Sequence, residues 1–280
     1  MPINESGGRR RYHLHLISDA TGETINSVAR AALAQFEGIE AVEHMWPLIR
    51  GKRQLDKVLA AIEINPGVVM FTLVNRELRE HLQAGCRALQ APCVSVLDQI
   101  IGVLSGHFGM PSREQPGRQH ALDAEYFARI DAIHFVLAHD DGQLPQDVEE
   151  ADVVLVGVSR TSKTPTCFYL ANRGIKAANV PIVPGMTLPL ALLDAKRPLI
   201  VGLTNNPDRL VQVRRNRLLM LKQPETTDYV DLDRVREEVA TARRLFSRHR
   251  WPVIDVTRRS IEETAAAILR LYQERQDQVP

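Results

Sequence analysis

The chain has 280 residues, 44% of them hydrophobic and 25% charged, and its 35 basic residues balance 34 acidic ones to a formal net charge of +1. That is long enough for two modest domains or one large one, with the composition of a soluble globular protein. Such charge balance argues against a general nucleic-acid or membrane-surface role, each of which normally shows as a basic excess.

No apolar run reaches the ~18 residues of a membrane span, and MPINESGGRRRYHLHLIS at the N-terminus lacks the apolar core of a signal peptide. Cys86, Cys93 and Cys167 are an odd set with no metal spacing, which predicts buried thiols in a reducing cytoplasm. Residues 1–10 read as a frayed polar tail, with a solvated basic cluster at Arg9, Arg10 and Arg11. Tyr12 to Ile17 alternates as a first strand. The turn Ser18-Asp19-Ala20-Thr21-Gly22-Glu23-Thr24 leads into a helix whose apolar positions are Val28, Ala29, Ala32, Leu33 and Phe36. This turn offers either a helix cap from Thr21 or a second loop with free N–H groups at a helix start. A strand over Ala41–Ile49, a helix over Gln54–Ile64, a break at Asn65-Pro66-Gly67, a strand over Val68–Val74 and a helix over Arg76–Leu89 follow. Pro92 separates that helix from an apolar segment running from Val94 to Leu104. Alternating strand and helix predicts an α/β layer on a mostly parallel sheet.

Gly109 to Gln119, with two prolines and two glycines, reads as a long connection or lid. Asp123–Ile130 reads as helix and Ala132–Ala138 as a strand leading into His139-Asp140-Asp141-Gly142. That run is either a solvated turn, which Asp-Gly favours, or a set of proton acceptors. His139, Asp140 and Asp141 are all candidates for acid–base work.

The most informative stretch is Ala151 to Asn172, ADVVLVGVSRTSKTPTCFYLAN. Val153 to Val156 is an apolar β-branched run, as in a buried parallel strand, and it stops at Gly157. Gly157-Val158-Ser159-Arg160-Thr161-Ser162-Lys163-Thr164 then nearly matches a phosphate-binding loop, in which a glycine leaves the strand and Lys with Ser or Thr opens a helix. Ser162 stands where the second glycine belongs. Either the loop takes a variant path, or the serine hydroxyl meets a phosphate oxygen and offsets the cost of a left-handed backbone. Loop N–H groups and the helix dipole would hold the anion, Lys163 would bridge phosphoryl oxygens, and the Thr164 hydroxyl would bind magnesium. Pro165 suits the first helical turn. Arg160 inside the loop suits accumulating phosphoryl charge better than a plain turn does.

Further on, Pro181–Pro184 and Leu199–Leu203 read as strands, and Thr204-Asn205-Asn206-Pro207-Asp208 turns into a basic helix over Arg209–Met220. Arg214, Arg215 and Arg217 on it read as an exposed charged face. Asp233–Arg248 is a charged helix, Val253–Val256 ends the sheet, and Ser260 with Glu263 forms a capping box for the last helix. The chain is thus expected to be α/β throughout, with an N-terminal mostly parallel α/β domain at 1–110 and a connecting or lid segment at 111–150. A C-terminal α/β domain at 151–280 would resemble the P-loop kinases.

GVSRTSKTP, with ISDATGET at Ile17–Thr24 and HDDG at His139–Gly142, resembles the bacterial phosphoenolpyruvate synthase regulatory proteins, close relatives of the pyruvate, phosphate dikinase regulatory proteins. The likeness covers most of the chain. It implies a cytoplasmic bifunctional enzyme, a serine/threonine protein kinase with ADP as donor that phosphorylates and inactivates a dikinase. The reverse activity would use inorganic phosphate to remove the phosphoryl group and release pyrophosphate. It also implies phosphoenolpyruvate synthase (pyruvate, water dikinase) as partner and magnesium as cofactor, with no nucleic acid or membrane and a homo-oligomer left open. The alternatives are the same chemistry on pyruvate, phosphate dikinase, a small-molecule P-loop kinase using ATP, and a non-catalytic adenylate sensor.

Overall fold

The computed structural model describes residues 10–117, 124–142, 145–222 and 227–277. The expected frayed tail at 1–10 lies outside them except for Arg10. The chain divides into two compact units, Met1–Ala121 and Leu122–Pro280, each built on a four-stranded, wholly parallel sheet.

In the first unit the elements alternate as β1 (Arg10–Ile17), α1 (Glu23–Leu33), β2 (Ile39–Trp46), α2 (Lys52–Ile64), β3 (Gly67–Phe71), α3 (Arg76–Ala88), β4 (Cys93–Ser95) and α4 (Asp98–Phe108), with strand order β2-β1-β3-β4. Successive strand residues point to opposite faces, so β1 serves two cores at once. Leu14 and Leu16 meet Ile25 and Ala29 of α1, while Ile17 joins Val69 and Phe71 of β3 against Leu55, Val58 and Ile62 of α2 and Leu78 and Leu82 of α3. The apolar segment after Pro92 resolves into β4 and α4.

The second unit opens with α5 (Ala124–Ala138) and short 3-10 turns at Asp140–Gly142 and Pro145–Glu150. It continues through β5 (Val153–Gly157), α6 (Lys163–Ala171), β6 (Ala177–Pro181), α7 (Leu190–Asp194), β7 (Leu199–Thr204) and α8 (Pro207–Met220). A 3-10 turn at Asp228–Val230, α9 (Leu232–His249), β8 (Val253–Asp255) and α10 (Ile261–Gln276) complete it, in strand order β6-β5-β7-β8. Every residue of β5 is buried. Val154 and Val156 face Leu210 and Leu218 of α8 and Val239 and Phe246 of α9. Val153 and Leu155 face Val136 of α5, Cys167 and Leu170 of α6 and Ile268 of α10.

Two expectations are corrected here. Residues 132–138 are the C-terminal half of α5, with Ala132, Phe135 and Val136 buried at helical spacing, because a short apolar run has no period of its own until its neighbours fix one. The strand expected at Pro181–Pro184 lies earlier, at Ala177–Pro181, where two alanines of low strand propensity are buried against β5. The Ser260–Glu263 capping box is present, the Ser260 hydroxyl accepting from the Glu263 N–H and the Glu263 carboxylate from the Ser260 N–H.

Both sheets share one topology: the first strand sits inside, the second is added on one side, and the third returns to the other side. The helices leaving the first strand therefore diverge from those at the third. This leaves a crevice at the carboxyl ends of β1 and β3 in one unit and of β5 and β7 in the other, where open α/β sheets bind ligands. SDATGET follows β1 and GVSRTSKT follows β5, so each loop singled out in the sequence lies at the switch point of its own sheet.

Candidate functional site

The loop after β5 starts with a contact that only glycine tolerates. A Cβ on Gly157 would lie 2.6 Å from the Leu203 carbonyl oxygen of β7 and 2.9 Å from Thr161 Oγ1. Beyond it the chain folds around the Val158 carbonyl, which accepts from both Thr161 Oγ1 and Lys163 Nζ, each at 3.0 Å. The Thr166 hydroxyl of α6 donates to the Ser162 carbonyl at 2.7 Å. Ser162 adopts φ 60°, ψ 24°, the left-handed conformation of the glycine it replaces, and its side chain makes no cap hydrogen bond. Arg160 is left-handed as well, at φ 70°. Two such non-glycine residues cost roughly 1–2 kcal/mol each, and strain of this kind gathers where a surrounding structure holds a functional backbone in place.

Lys163 is 6% exposed at the first position of α6. Burial lowers its ammonium from the ordinary lysine range to about 8, while Asp141 and Asp140 pull it back upward. Asp140 comes from the turn after α5. Its Oδ1 accepts from the Thr164 hydroxyl at 2.9 Å and from Asn179 Nδ2 at 2.6 Å. Asn179 of β6 also donates toward Asp141 Oδ1 at 3.2 Å and Thr164 Oγ1 at 2.9 Å, while its own Oδ1 is buried without a partner. Asp141, left-handed at φ 51°, stays exposed. A carboxylate and a hydroxyl side by side, all-oxygen and next to an anion loop, suit magnesium, which keeps several waters and takes one or two protein oxygens. Among the described residues no group of three or more His, Cys, Asp or Glu is arranged as a metal cage.

The structure thus brings Gly157 to Thr164, Asp140 and Asp141 together. Arg160 points no hydrogen bond or ion pair at any described residue and lies exposed at the loop's rim. His139 is placed differently. Its Nδ1–H donates to the Phe135 carbonyl at 2.8 Å and its ring stacks on Phe135 at 3.9 Å between centroids, leaving a buried Nε2 without a partner. It bonds neither aspartate; its carbonyl accepts from the Asn179 N–H at 3.2 Å and so helps to seat β6 against the turn.

Three residues bonded to this constellation escaped the sequence reading. Asn179 is an amide inside a buried parallel strand, AANVP, and that anomaly was the available signal. Arg214 is 1% exposed, not part of the exposed face expected of Arg214, Arg215 and Arg217, and Tyr229 donates to or accepts from Ser159 Oγ at 3.0 Å. A cavity of about 1210 Å³ opens beside the loop, walled by Val158, Ile182, Met186, Tyr229, Arg244 and Leu245 among others.

In the first unit, Asp19 after β1 is buried. Its carboxylate accepts from the Val74 N–H at 2.7 Å, and burial pushes its pKa up. The Ser18 and Thr72 hydroxyls meet at 3.1 Å. The N-cap position of α1 is Gly22, at φ 88°.

A family model described as kinase/pyrophosphorylase matches residues 14–269, spanning both units and both switch-point loops. The chain belongs to that family. A protein of Paramagnetospirillum magneticum is 56% identical over 268 residues, covering 96% of this chain and 86% of the relative. Proteins of Sphingopyxis alaskensis and Rhizorhabdus wittichii are 56% and 57% identical over 265 residues, covering 95% of this chain and 98% and 97% of theirs. All three bear the provisional name pyruvate, phosphate dikinase regulatory protein. This chain is accordingly a kinase/pyrophosphorylase by family. No helix among the described residues is long and apolar enough to cross a membrane.

The buried ammonium makes anion binding depend on pH. In the ligand-free protein Lys163 loses its charge as pH rises through about 8, whereas a bound phosphoryl group favours the charged form. A phosphate-bearing ligand at this loop should therefore bind more weakly as pH rises through about 8. The sign for stability is the opposite. The folded chain binds fewer protons than the unfolded one between about 8 and 10.5, so burial of Lys163 destabilises fully below that window and the penalty fades across it. Lys163→Met should raise the unfolding midpoint at pH 7 while abolishing anion binding, as scanning and titration calorimetry on the full chain would register.

Proposed function

We propose that this kinase/pyrophosphorylase transfers the β-phosphoryl group of ADP to a threonine of a dikinase, inactivating it. The same cradle would run the restoring reaction with inorganic phosphate. The observation that carries the reading is the closed constellation of strained loop, buried Lys163, Thr164 and Asp140, an anion site beside an oxygen donor pair. The names of relatives at 56–57% identity favour pyruvate, phosphate dikinase as the target over phosphoenolpyruvate synthase. Cytoplasmic location follows from such a partner.

In the forward direction a threonine oxygen bonds to the β-phosphorus, the bridge to the α-phosphate breaks, and AMP leaves. Asp141, exposed and without the Thr164 hydroxyl that occupies Asp140, takes the threonine proton. Loop N–H groups, Lys163 and Arg160 face the charge on the transferred group, which is most of what phosphoryl transfer asks of a protein. Magnesium, held by Thr164 and Asp140, would supply charge neutralisation across neighbouring phosphoryl oxygens. In the reverse direction an oxygen of inorganic phosphate bonds to the phosphothreonine phosphorus as the bond to the threonine oxygen breaks, pyrophosphate leaves, and Asp141 passes the proton of the attacking phosphate's hydroxyl to the threonine oxygen. The cavity beside Val158 exceeds the ~300–1000 Å³ usual for small-molecule sites, which supports a protein segment as acceptor.

Incubation of the full chain with purified dikinases and β-labelled ADP, beside γ-labelled ATP, tests the reading. Label should pass from ADP to a protein threonine with release of AMP. Label moving only from ATP to a metabolite would indicate a small-molecule kinase, and binding without transfer an adenylate sensor. Lys163→Ala should fold and lose at least about 100-fold in transfer in both directions, comparable to removal of a transition-state donor. Thr164→Val should raise the magnesium concentration for half-maximal transfer by about 10-fold or more; an unchanged magnesium response would remove Thr164 from the metal site.

A further inference from the structure

The loop's inner bonds run to the Val158 and Ser162 carbonyls, and they leave Ser159 to be held from outside. Tyr229 OH lies 3.0 Å from Ser159 Oγ, and Arg214 Nη2 donates to the Ser159 carbonyl at 3.4 Å. The same guanidinium donates through Nη1 to the Tyr229 carbonyl at 3.0 Å, pairs with Glu238 at 2.7 Å, and lies 4.6 Å over the Tyr229 ring. Arg214 on α8 and Tyr229 on the 3-10 turn thus converge on one loop residue, and Glu238 on α9 pairs with the arginine.

Stability alone does not account for this arrangement. Arg214 is the largest fully buried side chain of the protein's described core, its Nε has no partner, and Glu238 is its single carboxylate. Apolar residues commonly replace a buried ion pair without loss of stability, so a buried arginine held by one carboxylate calls for another task. The task visible here is geometric: a rigid fork aims at the Tyr229 and Ser159 carbonyls from one fixed plane, which no apolar side chain and no lysine reproduces. It acts on the residue immediately before left-handed Arg160, where the loop backbone turns against its own preference.

We infer that Arg214 and Tyr229 are positioning residues of the phosphate loop, holding Ser159 from outside so that the loop keeps its anion-binding curve before any ligand arrives. The inference rests on residues 157–164 being the phosphate site, but its test does not need transfer activity. Neither residue touches the reacting atoms. Tyr229 is also one of the residues walling the large cavity.

Tyr229→Phe is the discriminating variant, because the ring stays against the guanidinium and a single hydroxyl is lost. Three readouts on the full chain decide the matter: hydrogen exchange of the 158–163 amides without ligand, ADP affinity by calorimetry, and the thermal midpoint. The expected result is faster exchange confined to those amides, ADP binding weaker by about 2- to 10-fold, as for one neutral hydrogen bond, and little change in midpoint. Arg214→Lys should move the loop amides in the same direction, and further. Wild-type exchange at 158–163 in Tyr229→Phe would overturn the inference, as would a lowered midpoint with exchange raised uniformly, the mark of a merely structural pair. If the wild-type chain failed to bind ADP, the phosphate-site reading would fall, and the exchange comparison would still decide whether these residues hold the loop.

Discussion

One ammonium group organises the second unit. Lys163 enters the interior at the start of α6, where water cannot solvate it, and donates to the Val158 carbonyl with Asp140 and Asp141 close by. A buried cation with incomplete compensation is unfavourable in an isolated fold and favourable once a phosphoryl group arrives. Around it stand the left-handed backbone at Arg160 and Ser162, the glycine at 157 pressed against β7, and the Asp140–Thr164–Asn179 set.

The arrangement follows from a sheet topology used twice. In both units the first strand lies inside the sheet and the crevice forms at its carboxyl end. The two crevices are furnished differently. The β5 loop carries a buried lysine and a helix opening on it, whereas the β1 loop folds Asp19 inward onto the Val74 N–H and joins Ser18 to Thr72. The second is the more constrained by its own bonds, and the first is the more open to a ligand.

How much could be read from the chain alone depended on whether a signal was local. The strand at 153–157, the loop and Ser162's left-handed backbone are local, since periodicity, spacing and a missing glycine announce them. The helix over 132–138 and the strand at 177–181 depended on neighbours distant in sequence, because an apolar run and two alanines have no conformation of their own until packed. Arg214 was misread for a related reason. In RRNR it looks like part of a solvated cluster, yet Leu210, Arg214 and Leu218 recur at helical spacing and put the arginine on the buried stripe. Asn179 was invisible as a partner because it meets Asp140 across 39 residues of chain, although a lone amide in a buried strand is itself a sign of a site.

The central claim is that one cradle, closed around Lys163, receives both the donor's β-phosphoryl group and inorganic phosphate. Its most direct test is titration of ADP into the full chain at a series of fixed phosphate concentrations. The account predicts simple competition, with the apparent Kd for ADP rising in proportion to phosphate and no plateau. An ADP affinity indifferent to saturating phosphate, with both ligands bound at once, would contradict it and place the second anion elsewhere.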